Sequence, residues 1–299
     1  MTHDHNHQAG KYNRAFAIGI ALNSVFVIIE VVYGLVAESM ALLADAGHNL
    51  NDILSLLLAW GASFLATRSA TEQRTYGFRK TTILASLASA ILLLVAMGGI
   101  TLEATGRFSN PKPVEGMTII VVAAIGVIIN AITALLFVSG RKHDLNIRGA
   151  FLHMTADAGV SFGVVVAGIV IVLTDWWWID PLISLTIVAV VLISSWSLLR
   201  DSMNLAIDSV PAGVDMAGIK AYLSCRENVC QIHDLHVWPL STTEIALSVH
   251  LIVKDNPMSK DFLVETQQHL HDHFGIAHAT VQVENAADSQ CVLNKGSCI

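Results

Sequence analysis

Charge is what this chain is short of. Of its 299 residues only 14% are Asp, Glu, Lys or Arg, where soluble domains carry about a quarter, and that shortage points to a bilayer rather than to water. No block of Lys and Arg interrupts the sequence and the formal net charge is -7, so the electrostatic footprint of a nucleic-acid binder is missing. An H-E-x-x-H stretch is absent as well, which removes the intramembrane metalloprotease reading, because that chemistry needs a glutamate beside its ligands. Cysteine is scarce: the four present, Cys225, Cys230, Cys291 and Cys298, all fall near the end. If that end is cytoplasmic, reducing conditions favour thiols over disulfides; Cys225 and Cys230 lack zinc-ribbon spacing and read as structural. The opening stretch, Met1 to Arg14, holds His3, His5 and His7 and lacks the charged start and apolar centre of a cleavable signal. The N-terminus is expected to stay where it is made.

What is present is apolar. Hydrophobic residues make up 54% of the chain and the mean hydropathy is +0.59, concentrated between Ala15 and Leu199. A helix needs about 20 mostly apolar residues to cross a hydrocarbon layer roughly 30 Å thick. Six segments meet that length: Ala15 to Ala37, Met40 to Thr67, Thr81 to Ala104, Met117 to Gly140, Ile147 to Thr174 and Ile179 to Leu199. An even number of spans puts both termini on one side. Arg68, Arg74, Arg79 and Lys80 follow span two, and Arg141, Lys142 and Arg148 follow span four, whereas the opposite loops hold only Arg107 and Lys112. Positive loops stay in the cytoplasm, so both ends are expected there, with Trp176, Trp177 and Trp178 as an anchor at the outer interface.

Ionisable residues inside a span are functional candidates, because each costs about 2.5 to 3.5 kcal/mol at mid-bilayer. Spans two and five both contain H-x-x-x-D, as His48 with Asp52 and as His153 with Asp157. Residues four apart share a helix face, so each span offers one nitrogen and one oxygen. From Ser39 the first pair lies about 14 to 20 Å down, and from Arg148 the second lies about 8 to 14 Å up. The two pairs meet near the middle. Four ligands of type N2O2 suit Zn2+, with Co2+ as nearest competitor. The competing reading, two interhelical His/Asp hydrogen bonds, leaves two buried carboxylates without a cation, which is the costlier arrangement. Asp45 shares the face of His48 as a further ligand or as a support for one. Glu30, Asn23 and Asn130 either line a water path or hold helices together.

With these residues the chain resembles the cation diffusion facilitator family of metal transporters. The likeness covers nearly the whole length: six spans, H-x-x-x-D in spans two and five, Tyr76-Gly77-Phe78-Arg79-Lys80 opening span three, and a C-terminal domain of under a hundred residues. It implies a dimeric metal/proton antiporter that exports its ion from the cytoplasm, held on His48, Asp52, His153 and Asp157. Histidine in the span-two motif, where some relatives have aspartate, resembles the more zinc-selective branch. The long histidine-rich insert of many animal members is missing, leaving Arg141-Lys142-His143-Asp144, which implies a bacterial inner-membrane protein. The expected fold is membrane all-α, a six-transmembrane-helix bundle with a cytoplasmic α/β metallochaperone-like C-terminal domain. Its expected divisions are a histidine-containing segment at 1–14, the transmembrane domain at 15–203 and a regulatory, dimer-forming domain at 204–299. The implied partners are Zn2+ with Co2+ and Cd2+ as alternatives, protons as counter-ion, the lipid bilayer and a second copy of the chain.

From Asp215 the pattern reads helix (Met216 to Cys225), strand (Val229 to Trp238), turn, strand (Glu244 to Val253), helix (Ser259 to Phe274) and strand (Ala279 to Glu284), a small open-faced sandwich. Ile245, Leu247, Val249, Leu251 and Val253 alternate onto one face and His250 falls on the other. Val281 and Val283 point inward, so Glu284 shares the class of His250, and the hairpin brings His233 across. The family's tail metal site maps onto His233, His250 and Glu284, with His236 competing for the place of His233. Cys291 and Cys298, with His5 and its neighbours His3 and His7, are candidates for a second tail site, between protomers. Surface histidines without a metal are the competing reading. Two other functions stand as rivals: a passive channel, whose flux survives collapse of the proton gradient, and a membrane-tethered sensor, disfavoured by intact ligands in both spans.

Overall fold

A computed structural model of the chain describes residues 6–138, 145–254 and 260–285. Six long helices, α1 (Asn6–Val36), α2 (Met40–Ala66), α3 (Thr81–Ser109), α4 (Gly116–Phe137), α5 (Leu145–Thr174) and α6 (Ile179–Ala206), are followed by α7 (Met216–Ser224), β1 (Val229–Pro239), β2 (Ile245–Val253), α8 (Lys260–Phe274) and β3 (Ile276–Asn285). Each of the six contains a window long and apolar enough to cross a membrane. They outrun the apolar windows: α1 starts at Asn6 rather than Ala15, α3 continues to Ser109 and α6 to Ala206. Hydropathy marks where a helix meets lipid, and the backbone hydrogen-bond ladder is not bound to stop at that level. Large apolar side chains face outward along the spans, with Trp60 73%, Leu102 78% and Ile193 78% exposed. A surface of that kind belongs in hydrocarbon. Trp176 and Trp178, between α5 and α6, stack with ring centroids 5.9 Å apart.

The chain forms two compact units, one of residues 1–57 and 89–197, the other of 58–88 and 198–299. In the first unit, Phe26, Leu42, Met97, Ile119 and Val164 belong to one fully buried cluster. Helices α4 and α5 approach closely at two glycines: a Cβ on Gly116 would stand 3.1 Å from the Gly168 carbonyl oxygen, and one on Gly168 would stand 3.2 Å from that of Gly116. Small residues of this kind let transmembrane backbones touch.

The N-terminus of α2 is capped from α6. The buried Asp180 carboxylate accepts hydrogen bonds from Ser39 Oγ (2.5 Å) and from the backbone N–H groups of Met40 (2.7 Å) and Ala41 (3.2 Å). A carboxylate there answers both the unpaired N–H groups of the first turn and the positive end of the helix dipole. Asp180→Ala leaves three buried donors unmatched, and a loss of about 2 kcal/mol is expected, read as a lowered denaturation midpoint of the purified protein. Asp180→Asn, which keeps one acceptor oxygen, should lose less.

In the second unit the loop between α2 and α3 is held by paired backbone hydrogen bonds of 3.0 Å between Thr71 and Arg74 and by Gly77, whose φ of +68° is costly for any residue with a Cβ. Lys80 pairs with Asp208 at 2.6 Å and Arg79 with Glu244 at 3.0 Å. The tail sheet has the order β1-β2-β3, with β1 antiparallel and β3 parallel to β2. Strand β3 starts at Ile276 rather than Ala279 because it pairs along the full length of β2, from Ile245 opposite Ile276 to Val253 opposite Asn285. Ile219 and Leu223 of α7 and Leu270 of α8 join Leu247, Val249 and Leu251 in one buried core, so both helices cover the same face of the sheet.

Candidate metal centres

Helices α2 and α5 bring the two H-x-x-x-D pairs together in an antiparallel cross. His48 Nε2 lies 3.7 Å from Asp52 Oδ2 on its own helix and 3.5 Å from Asp157 Oδ1 on the other. His153 Nε2 lies 3.1 Å from Asp52 Oδ2 and 3.6 Å from Asp157 Oδ2. The imidazole rings meet edge to face, with centroids 5.9 Å apart. The four nitrogen–oxygen separations, 3.1 to 3.7 Å, lie near the ligand–ligand edge of about 3.3 Å of a tetrahedral site with bond lengths of about 2.0 to 2.1 Å, Asp157 reaching the two imidazoles through different oxygens. The ligating atoms of His48, His153 and Asp157 all lie within 4.8 Å of one another; Asp52 touches both imidazoles but stands outside that mutual group.

The cluster has a closed side and an open one. Asp157 is 4% exposed and His48 15%, whereas Asp52 is 33% and His153 43% exposed. The open side faces a cavity of about 360 Å³ that is also lined by Asn23, Asn49, Thr133 and Met154. Two buried atoms in the cluster, His48 Nδ1 and Asp157 Oδ2, have no hydrogen-bond partner, and buried polar atoms in native folds normally find one. A cation supplies that partner to a carboxylate oxygen.

Asp45, left open between ligand and support, turns away: its Oδ2 accepts a 2.9 Å hydrogen bond from Ser161 on α5. Glu30 accepts a hydrogen bond from Asn49 Nδ2 at 3.3 Å. Both carboxyls are fully buried, and they tie α1, α2 and α5 together behind the histidines. Asn23 donates to Met154 Sδ at 3.5 Å on the cavity wall. Asn130 is buried, with neither side-chain polar atom hydrogen-bonded.

In the tail, His233 and His250 are direct cross-strand partners, their rings 5.0 Å apart. Glu284 bridges them, with Oε2 3.2 Å from His233 Nε2 and Oε1 2.9 Å from His250 Nδ1. Both histidines are buried, and His233 Nδ1 has no hydrogen-bond partner. Two nitrogens and a carboxylate in this compact a group fit a Zn2+ ligand set. Sequence alternation missed a neighbour of this group, Asp234. Strict period two would put His233 on the same face as Leu235 and Val237, in the hydrophobic core. A register shift between His233 and His236, with Asp234 at φ +52°, is a β-bulge that turns His233 to the opposite face. The Asp234 carboxylate then lies 3.0 Å from His236 Nε2 and 3.6 Å from His250 Nε2. His236, the rival for the place of His233, is 65% exposed and outside the group. Cys225 and Cys230 are exposed free thiols rather than packed ones. Cys291, Cys298 and the side chains of His3, His5 and His7 lie outside the described residues.

Six apolar helices with a His/Asp cluster between two of them, joined to a small α/β tail, define an integral membrane protein of the metal-transport class. The chain belongs to the cation efflux family, also called the cation diffusion facilitators: the family's transmembrane domain matches residues 16–205 and its cytoplasmic domain residues 211–286. It is 37% identical to the metal cation efflux system protein CzcD of Cupriavidus metallidurans, over 96% of this chain and 91% of that protein. It is 36% identical to the zinc transporter ZitB of Escherichia coli, over 99% and 97%. It is 34% identical to the cadmium, cobalt and zinc/H(+)-K(+) antiporter of Bacillus subtilis, over 95% and 92%.

Proposed function

We propose that this protein exports Zn2+ from the cytoplasm in exchange for protons, through a four-ligand site of His48, Asp52, His153 and Asp157, with Cd2+ and Co2+ as competing cargoes. The observation that carries the reading is the convergence of two imidazoles and two carboxylates between antiparallel spans, with nitrogen–oxygen separations of 3.1 to 3.7 Å. Zn2+ binding requires neutral histidine and ionised aspartate, so loading releases protons and unloading takes them up. Two carboxylates with Zn2+ sum to zero charge, and so do two protonated carboxyls; the empty ionised site is the costly one in a low-dielectric interior. Either load crosses, and the exchange follows.

In this reading both termini and the positive α2–α3 loop lie in the cytoplasm of a bacterial inner membrane. Residues 1–14, 15–203 and 204–299 act as the N-terminal segment, transport domain and regulatory domain. The tail binds Zn2+ on His233, His250 and Glu284 and supports a homodimer, as membership of the family implies. Cys291, Cys298 and His5 form its second metal site.

Uptake of Zn2+, Cd2+, Co2+ and Mn2+ into sealed proteoliposomes tests the exchange. An acidic lumen should drive Zn2+ inward, because luminal protons displace the arriving ion and load the site for its return. A protonophore should reduce uptake to the rate of empty vesicles. Uptake indifferent to the proton gradient would transfer the protein to the passive-channel class. Site affinity for Zn2+ should weaken as pH falls, by about tenfold per pH unit for each proton released on binding.

A further inference from the structure

The second compact unit contains a polar cavity that metal transport does not use. It encloses about 750 Å³ and is lined by Arg68, Tyr76, Arg79, Thr82, Thr242 and Glu244, with further serine and threonine hydroxyls around them. Its lining holds two arginines and one carboxylate. Arg79 is engaged with that carboxylate, Glu244, at 3.0 Å. Arg68 has no carboxylate partner among the described residues; its guanidinium lies over the Phe64 ring, 5.5 Å from the centroid. The wall is preorganised by the Thr71–Arg74 backbone pairing, by Gly77 at positive φ and by the Thr242 backbone N–H, which donates to Thr82 Oγ1 at 3.1 Å.

The level of this cavity is fixed by the chain. Helix α2 ends at Ala66 and α3 begins at Thr81, so Arg68 and Arg79 follow and precede membrane-spanning helices by a turn or less. That is the depth of the phospholipid headgroups. Hydroxyl donors beside a planar guanidinium fork are the chemistry that holds a phosphate, and a basic pocket at this depth meets lipid phosphate before any other.

We infer that this cavity binds the phosphate headgroup of an anionic glycerophospholipid, held by Arg68 and Arg79. The headgroup competes with Glu244 for Arg79. Lipid occupancy therefore loosens the ion pair between the α2–α3 loop and the β1–β2 turn, and ties the tail's attachment to the charge of the surrounding bilayer.

The test is binding of phosphatidylglycerol, phosphatidylcholine and inorganic phosphate to the purified full-length protein in neutral detergent, followed by native mass spectrometry. Phosphatidylglycerol should bind more tightly than phosphatidylcholine, and Arg68→Gln and Arg79→Gln should each weaken it about fivefold, as expected for one cation at a membrane surface. Glu244→Gln, which releases Arg79, should strengthen binding, a gain that misfolding would not produce. Equal binding of the two lipids, undiminished phosphatidylglycerol binding in the Arg68→Gln/Arg79→Gln double variant, or weaker binding in Glu244→Gln would overturn the site. Inorganic phosphate binding as tightly as phosphatidylglycerol would overturn the lipid assignment.

Discussion

Asp157→Ala is expected to lower Zn2+ flux in proteoliposomes by at least about a hundredfold, the scale set by leaving one unit of charge uncompensated at mid-membrane. Asp157 is the most buried member of the four-residue cluster, and its two oxygens approach both imidazoles, at 3.5 and 3.6 Å. With alanine there, a loaded site carries a doubly charged ion against a single carboxylate, and the electroneutral exchange is lost. Asp157→Asn keeps the shape but not the charge and should fail almost as completely, which separates charge from packing. His48→Ala removes a nitrogen ligand from the closed side and should also abolish flux. Near wild-type rates from Asp157→Ala and His48→Ala together would take these residues out of the transport site, whatever else the protein does. The outcome is read against protein amount and monodispersity, because Asp157 lies one helical turn from Ser161, which holds the buried Asp45.

The six spans and the α/β tail were legible because each rests on a one-dimensional pattern, a run of apolar residues or a period of two. Convergence of His48, Asp52, His153 and Asp157 was legible for a related reason: the same i, i+4 pair recurs in two spans of opposite direction, and arithmetic on helix rise brings them to one depth. Other features depend on contacts the sequence does not order. Asp180 stands at the start of an apolar span, where a charge is conspicuous, yet only the fold shows that its carboxylate caps α2 at Met40 and Ala41. Asp45 shares a helix face with His48, and the deciding fact is its bond to Ser161, 116 positions away in the chain. In the tail, simple alternation gives the wrong face for His233. The bulge at Asp234 corrects it, and an aspartate between two histidine-bearing turns of a strand is the only sequence hint of the residue that tolerates that backbone.

That bulge gives the tail site its own test. Zn2+ at about a hundred times its dissociation constant should stabilise the domain that binds it by about 2.7 kcal/mol, or roughly a hundredfold in the protection of amides that exchange by opening of that domain. The effect should concentrate in β1, β2 and β3, since His233, His250 and Glu284 each sit on a different strand of one sheet. Hydrogen exchange on the full-length protein reads it locally, and a chelator should reverse it. His250→Ala removes the ligand at the centre of the group, in contact with both Glu284 and Asp234, and should erase Zn2+-dependent protection of the three strands while leaving Zn2+ binding at α2 and α5 intact. Asp234→Gly, which accepts the positive φ but lacks the carboxylate, should preserve the bulge and most of the protection. Asp234→Val disfavours that backbone and should lose the protection by returning His233 towards the core face. Equal protection in wild type and His250→Ala would show that Zn2+ stabilises the tail from elsewhere.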